Sequence, residues 1–103
     1  MKVYIAGKIT GDADYREKFL RAKAELERKR FIVLNPAELP AGMSRADYMR
    51  ICFAMIDTAD MVVLLPDWEC SEGARLEQEY SSYIGKKIMQ IRKDDAYAYQ
   101  GVF

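Results

Sequence analysis

The sequence has no histidine, only two cysteines and no net charge, and each shortage excludes a class of function. A histidine-based catalytic triad or zinc site is impossible. Cys52 and Cys70 lack the close spacing of metal-binding cysteine pairs. Because 16 basic residues balance 16 acidic ones, the composition argues against a nucleic-acid or anionic-membrane surface. We therefore expect no metal, no other cofactor, no nucleic-acid polymer and no membrane as a partner.

Long hydrophobic runs are also missing. No segment approaches the ~20 apolar residues of a membrane span, and the apolar run after Lys2 ends at Gly7, which is too short for a signal peptide. These absences predict a reduced, cytoplasmic protein. With 103 residues, half of them hydrophobic, the chain is expected to form one domain over residues 1–92, followed by a C-terminal tail over 93–103.

Strand-like and helix-like segments alternate along the chain. Short apolar, β-branched runs predict strands at Lys2–Ala6, 31–34, 61–65 and 87–91, and amphipathic spacing predicts helices at 12–29, Arg45–Thr58 and 70–86. The second strand, FIVL, is a continuous apolar run and is expected to be covered on both faces. The pattern predicts a single-domain, doubly wound α/β fold. It is a flavodoxin- or Rossmann-like, mostly parallel sheet of four to five strands with helices on both faces.

In such sheets ligands bind beyond the carboxyl ends of the strands, where the loops 7–11, 35–44 and 66–73 meet. The first loop offers backbone N–H groups near a helix N-terminus, and Lys8 adds positive charge, so it suits an anion. Glycines also end strands for purely structural reasons. In the third loop, Ser71 is either a helix N-cap or a ligand for a phosphate or hydroxyl. Trp68 either stacks on a base or covers the edge of the sheet.

Glu77 is the strongest functional lead, because it is the only charged residue on the apolar face of the third helix. At helical spacing that face comprises Gly73, Leu76, Glu77, Tyr80, Tyr83 and Ile84. A carboxylate turned toward a core must find partners or become neutral, and it is useful as an acid, base or nucleophile. The structural alternative is a carboxylate held by the hydroxyl of Tyr4, Tyr48 or Tyr80.

Three stretches resemble the nucleoside 2-deoxyribosyltransferase superfamily: Tyr4-Ile5-Ala6-Gly7, Ala59-Asp60, and Ser71-x-Gly73-Ala74-x-x-Glu77. The likeness covers roughly residues 2–91 and is most specific over 65–77. Within the superfamily it is nearest to a compact branch of uncharacterised, often phage-encoded domains. The resemblance implies that Glu77 attacks the anomeric carbon of a nucleoside or nucleotide. The base then leaves a covalent glycosyl-enzyme, which water or a second base resolves.

The resemblance also implies roles around Glu77. Tyr4 matches the tyrosine that orients the glutamate, and Gly7, Lys8 and Ile9 match the segment over the sugar and its 5′ substituent. Ser71 matches the position that recognises the 5′ end, where members acting on free nucleosides carry an aspartate. A serine does not repel a phosphate, so with Lys8 nearby the substrate class favoured is a nucleoside 5′-monophosphate. Gly73 completes this sugar-phosphate cradle.

One position departs from the superfamily pattern. Eight residues before Asp60, where characterised members carry an aspartate that assists the base or binds the sugar, this chain has Cys52. A thiol is a poor acid at neutral pH, and a buried cysteine is usually a small core residue. Asp67 or Glu72, at the mouth of the site, are possible substitutes, whereas Asp47 projects from the other side of its helix.

Three functions remain open from the sequence. The first is an N-glycosidic bond enzyme, either a hydrolase or a transferase. The second is a non-catalytic nucleotide-binding or sensing domain that lost the assisting aspartate, and the third is a small interaction domain with a structural Glu77. The aromatic content and the resemblance predict a homo-oligomer, a dimer or higher. The segment 96–103 either supplies a contact between subunits or is a frayed terminus.

Overall fold

A four-stranded, all-parallel sheet forms the centre of the computed structural model, which describes residues 1–91. The strands are β1 (Lys2–Ala6), β2 (Ile32–Leu34), β3 (Met61–Leu64) and β4 (Lys87–Gln90), in the order β2-β1-β3-β4. The helices are α1 (Tyr15–Arg28), α2 (Arg45–Thr58) and α3 (Glu72–Tyr83), with short 3₁₀ turns at Pro36–Glu38 and Trp68–Cys70. The predicted doubly wound α/β fold is confirmed, with four strands. The predicted tail and its contact lie outside the described residues.

Helices cover the sheet on both faces, and the two central strands carry the core. β1 and β3 pair in parallel, from Val3 opposite Met61 to Ala6 opposite Leu64, and their side chains are almost entirely buried. On one face α1 packs Phe19 and Leu26 against the sheet; on the other, α2 packs Cys52 and Ile56. Burial on both faces explains why these strands lack polar alternation.

The expectation that the second strand is covered on both faces holds only in part: Val33 packs against the core cluster of α1 and Leu34 against that of α2, but the strand lies at the edge of the sheet. β2 contains three residues, pairs only with β1, and leaves Ile32 61% exposed. A strand at the edge of a sheet has a neighbour on one side only, so its flank faces solvent. Phe31, which was expected in this strand, instead packs beside the core under α1 and donates its backbone N–H to Leu26.

The helix boundaries differ from the predicted ones where side chains or turns compete for the backbone. α2 begins at Arg45 as predicted, because the Ser44 hydroxyl accepts the Asp47 N–H at 3.1 Å. α1 begins at Tyr15 rather than residue 12, since the Asp12 carboxylate accepts the Asp14 N–H and holds a turn. α3 begins at Glu72, because the residues before it form a 3₁₀ turn.

The buried face of α3 is rotated relative to the predicted stripe. Its buried residues are Ala74, Glu77 and Ser81, whereas Leu76 and Tyr83 are 46% and 91% exposed. Small side chains let the helix approach the sheet closely. The buried Ser81 hydroxyl is satisfied by the Glu77 carbonyl at 2.6 Å. Glu77 is therefore buried as predicted, but among small residues and with its apolar neighbours turned toward solvent.

Candidate active site

A cavity of about 620 Å³ opens at the carboxyl edge of the sheet, bounded by the loop after β1 and the first turns of α2 and α3. This volume lies within the usual range of small-molecule sites, roughly 300–1,000 Å³. Predicted site residues that line it are Tyr4, Gly7, Ile9, Cys52, Ser71, Gly73 and Glu77. The topology brings these residues together from three separate parts of the chain.

Glu77 lies in the second turn of α3 and is 8% exposed. No lysine or arginine of residues 1–91 forms an ion pair with it. Burial raises the pKa of Glu77 to about 7, and the neighbouring Tyr4 hydroxyl and Cys52 thiol, both potential donors, hold it below what burial alone would give. This carboxyl therefore changes its charge near neutral pH, which is the range useful to a nucleophile or base.

Tyr4 is fully buried in β1, and its hydroxyl has no hydrogen-bond partner among the described residues. Burial first, and then the charge of Glu77, raise the pKa of Tyr4 well above its ordinary value, so it remains a neutral donor. Burial and Glu77 likewise raise the pKa of Cys52 to about 12. The floor of the cavity thus consists of one titratable carboxyl between two groups that keep their protons.

Two of the three tyrosines proposed as structural partners of Glu77 are engaged elsewhere. The Tyr80 hydroxyl donates to the Asp57 carboxylate at 2.6 Å, and its ring stacks on Phe53 with centroids 4.1 Å apart. The Tyr48 hydroxyl donates to the Pro40 carbonyl. Only Tyr4 remains beside Glu77, and its hydroxyl is itself unpartnered. Of the three tyrosines, Tyr4 alone is therefore placed to donate to the Glu77 carboxyl.

Three predicted site residues do not line the cavity: Lys8, Asp67 and Trp68. The Lys8 backbone N–H donates to the Asp67 carboxylate at 3.1 Å. The Lys18 ammonium binds the Lys8 carbonyl at 2.8 Å, together with the carboxylates of Asp12 and Asp67. This Lys18 clamp joins the loops after β1 and β3. Trp68 is partly buried and packs against the core cluster that contains Cys52 and Ile56.

Of the three carboxylates considered in place of the missing aspartate, only one lines the cavity. Asp67 is held by Lys18, and Asp47 is exposed and pairs with Arg50 at 3.2 Å. Glu72 alone lines the cavity. Any assisting acid among the described carboxylates other than Glu77 would therefore come from the first residue of α3.

Ser71 is the N-cap of α3, which was one of its two interpretations, and it also lies at the cavity. Its hydroxyl accepts the Ala74 N–H at 3.1 Å as the N-cap of α3, and the same residue lines the cavity. The N–H groups of Glu72 and Gly73, at the first helical positions, have no intrahelical acceptor. At position 7, by contrast, packing requires a glycine, since a Cβ there would lie 2.8 Å from Leu65 Cδ1.

Several lining residues were not predicted from the sequence, among them Tyr15, Arg45 and Met49. Arg45 carried a usable signal, because a cation in the first turn of a helix opposes the helix dipole. Lys18 gave no signal, since the partner that ties it to the loop after β3, Asp67, lies 49 positions away in the chain. Among residues 1–91, no group of three or more potential ligands is placed to hold a metal ion. Within the same residues, none of the helices has the length and apolar character needed to cross a bilayer.

No curated protein and no solved structure matches the chain. A family model, described as Domain of unknown function (DUF4406), matches residues 1–90, which include the strands, the helices and the cavity-lining residues of the described part of the chain. The chain therefore belongs to the DUF4406 family.

Proposed function

We propose that this protein cleaves the N-glycosidic bond of a nucleoside 5′-monophosphate-like ligand, with Glu77 as the nucleophile. One observation carries the proposal: a carboxyl buried without a cation lies beside the unpartnered Tyr4 hydroxyl on the floor of a cavity of small-molecule size. Buried polar groups with a structural role are generally hydrogen-bonded. The resemblance of the segment 71–77 to the deoxyribosyltransferase motif supports the same assignment.

The proposed chemistry gives Glu77 and Tyr4 a role each. The ionised Glu77 oxygen bonds to the anomeric carbon as the carbon–nitrogen bond breaks; the bonding electrons leave with the base, which takes up a proton from solvent. Tyr4 orients the carboxylate by donating to it. Water then attacks the anomeric carbon, loses a proton and releases Glu77. A second base in place of water would give transfer instead of hydrolysis.

Base release from a panel of deoxynucleoside 5′-monophosphates tests this proposal. The wild-type protein should liberate free base, and Glu77→Gln should lose at least about 10³-fold of that rate, because an amide is not a nucleophile. Glu79→Gln, an exposed glutamate on the same helix, is the matched control and should leave the rate unchanged. The proposal fails if no base appears or if Glu77→Gln releases it as fast.

A second candidate, a non-catalytic nucleotide-binding domain, is favoured by one observation. Cys52, whose pKa is raised to about 12, lies beside Glu77 where the superfamily pattern expects an aspartate, so it does not deliver a proton to a leaving base. Nucleotide-dependent stabilisation without base release would support this candidate. Base release acquired by Cys52→Asp would then show that the missing carboxylate is the reason.

The proposal also includes the cellular location and the oligomeric state of the protein. We place it in the cytoplasm as a homo-oligomer, acting on a small nucleotide or nucleoside. The free thiol of the exposed Cys70, which lines the cavity, suits a reducing compartment.

A further inference from the structure

Arg45 is the only cationic side chain that lines the cavity within residues 1–91. It is exposed, and no ion pair or hydrogen bond joins its guanidinium to the described part of the chain. Lys8, where the sequence analysis placed the positive charge, does not line the cavity. Because the other ionisable lining residues include the acids Glu72 and Glu77, the mouth has one positive charge available for a ligand.

The place of Arg45 in its helix is unfavourable for folding. It is the first residue of α2, where the aligned peptide dipoles already concentrate positive charge. The acidic residue of that first turn, Asp47, pairs with Arg50 rather than with Arg45. An unfavourably placed charge that no contact among the described residues offsets is typical of functional positions.

The first turn of α3 supplies further donors to the lining of the cavity. The first turn of α3 contributes the N–H groups of Glu72 and Gly73 and the Ser71 side chain, and these residues line the same cavity as Arg45. The fully buried, unpartnered Tyr4 hydroxyl also lines it and independently marks the cavity as a ligand site. Arg45 lies about 10 Å along the axis of α2 from Cys52, given the rise of 1.5 Å per residue. A charged ligand group at the mouth therefore leaves room for a sugar over the floor.

We infer that Arg45 is the specificity-determining residue that binds the phosphate of the ligand, together with the first-turn N–H groups of α3. A guanidinium offers two parallel donors that match phosphate oxygens. The carboxylate of Glu72, which also lines the cavity, repels an anion. The positive charge of Arg45 is therefore required for net attraction. The identity of the remainder of the ligand, a nucleoside, rests on the proposed function.

Binding to the Glu77→Gln variant, which does not turn over, tests the inference by isothermal titration calorimetry. Adding Arg45→Gln should weaken a deoxynucleoside 5′-monophosphate at least about tenfold, since a charge-assisted hydrogen bond is lost. The corresponding deoxynucleoside should change less than twofold. Arg50→Gln, one turn along and outside the cavity, is the matched control and should leave both ligands unaffected. Lys8→Gln, at the position where the sequence suggested the positive charge, should weaken the nucleotide less than Arg45→Gln does.

Inorganic phosphate separates this inference from the proposed function. Phosphate that protects the wild-type protein against thermal unfolding, but not Arg45→Gln, supports the anion site even if no base is ever released. Base release that proceeds equally from nucleosides and nucleotides, unchanged by Arg45→Gln, leaves the glycosidase and overturns the anion site. A wild type that phosphate does not protect, or a Lys8→Gln loss larger than that of Arg45→Gln, also overturns it.

Discussion

At the scale of single residues, the Glu77 carboxyl opposes folding whenever it is ionised. Its pKa is about 7 in the folded protein against an ordinary 4.5, so the folded state holds the proton more tightly than the unfolded chain. The free energy of unfolding contributed by this group is therefore greatest below pH 4.5 and falls as the pH rises through 7. The loss approaches about 3 kcal/mol near pH 8.

Glu77→Gln removes this charge while keeping the shape of the side chain. We expect it to raise the free energy of unfolding by on the order of 2 kcal/mol at pH 8, with a difference that shrinks below pH 5. Urea unfolding at both pH values measures it, with Glu79→Gln as the exposed control. A Glu77→Gln variant less stable than wild type at pH 8 would favour a structural carboxyl instead.

Activity should depend on pH in the opposite direction. The nucleophile must be ionised, so the rate of base release, as kcat/KM, should rise tenfold per pH unit below 7 and level off above it. Measurements between pH 5.5 and 8.5 cover the transition. A rate that is flat across this range would argue against Glu77 as the nucleophile.

The two cavity glycines should respond differently to alanine. A methyl at Gly7 would meet Leu65 at 2.8 Å, so Gly7→Ala should cost about 1–3 kcal/mol of stability. At Gly73 the nearest side-chain atom, Met49 Cε, is 3.7 Å away, so Gly73→Ala should be tolerated while narrowing the cavity. Thermal unfolding and nucleotide titration compare the two. Equal losses of stability would contradict the packing account.

At the scale of elements, the Lys18 clamp fixes the loop after β1 against the loop after β3. Lys18→Met would leave the carboxylates of Asp12 and Asp67 without their shared cation, and we expect a loss of about 1–3 kcal/mol in the free energy of unfolding. Nucleotide binding should weaken as well, because the loop after β1 lines the cavity. Lys23 is on the same helix as Lys18 and forms a more exposed ion pair with Glu38. Lys23→Met should therefore lower the free energy of unfolding by less than about 1 kcal/mol.

The elements that burial dictates were predictable from the sequence. β1 and α2 have the predicted bounds, because an apolar run and a capping serine each decide structure locally. The start of α1 and the buried face of α3 could not be predicted. A side-chain acceptor at Asp12 and close packing through Ala74 and Ser81 override the apolar pattern there.

The floor of the site was more predictable than its mouth. Tyr4, Cys52 and Glu77 come together because strand ends and helix starts share one edge of the sheet. That Lys8 does not line the cavity could not be predicted, because a loop's side-chain directions depend on contacts between residues distant in the chain. The Lys18 ammonium, 49 positions from Asp67, is such a contact.

At the scale of the whole molecule, α3 presents apolar side chains to solvent. Leu76, Tyr83 and Ile84 lie on one side of the helix and are 46%, 91% and 39% exposed. An apolar stripe of this kind is typical of an interface, and in a symmetric dimer each residue would be buried twice. We therefore expect α3 to form the contact of the predicted homo-oligomer.

Tyr83→Lys tests this assembly. A lysine near the C-terminus of α3 is favourable for the helix dipole, so the folded protomer should persist, while its ammonium would be buried in the interface. Because both copies carry the change, the dissociation constant measured by sedimentation should rise at least tenfold. Leu20→Lys, equally apolar and 59% exposed but on α1 across the sheet, should leave the oligomer intact. A wild type that sediments as a monomer at 100 µM, about the upper end of concentrations at which a weak dimer is still populated, would contradict an interface on α3.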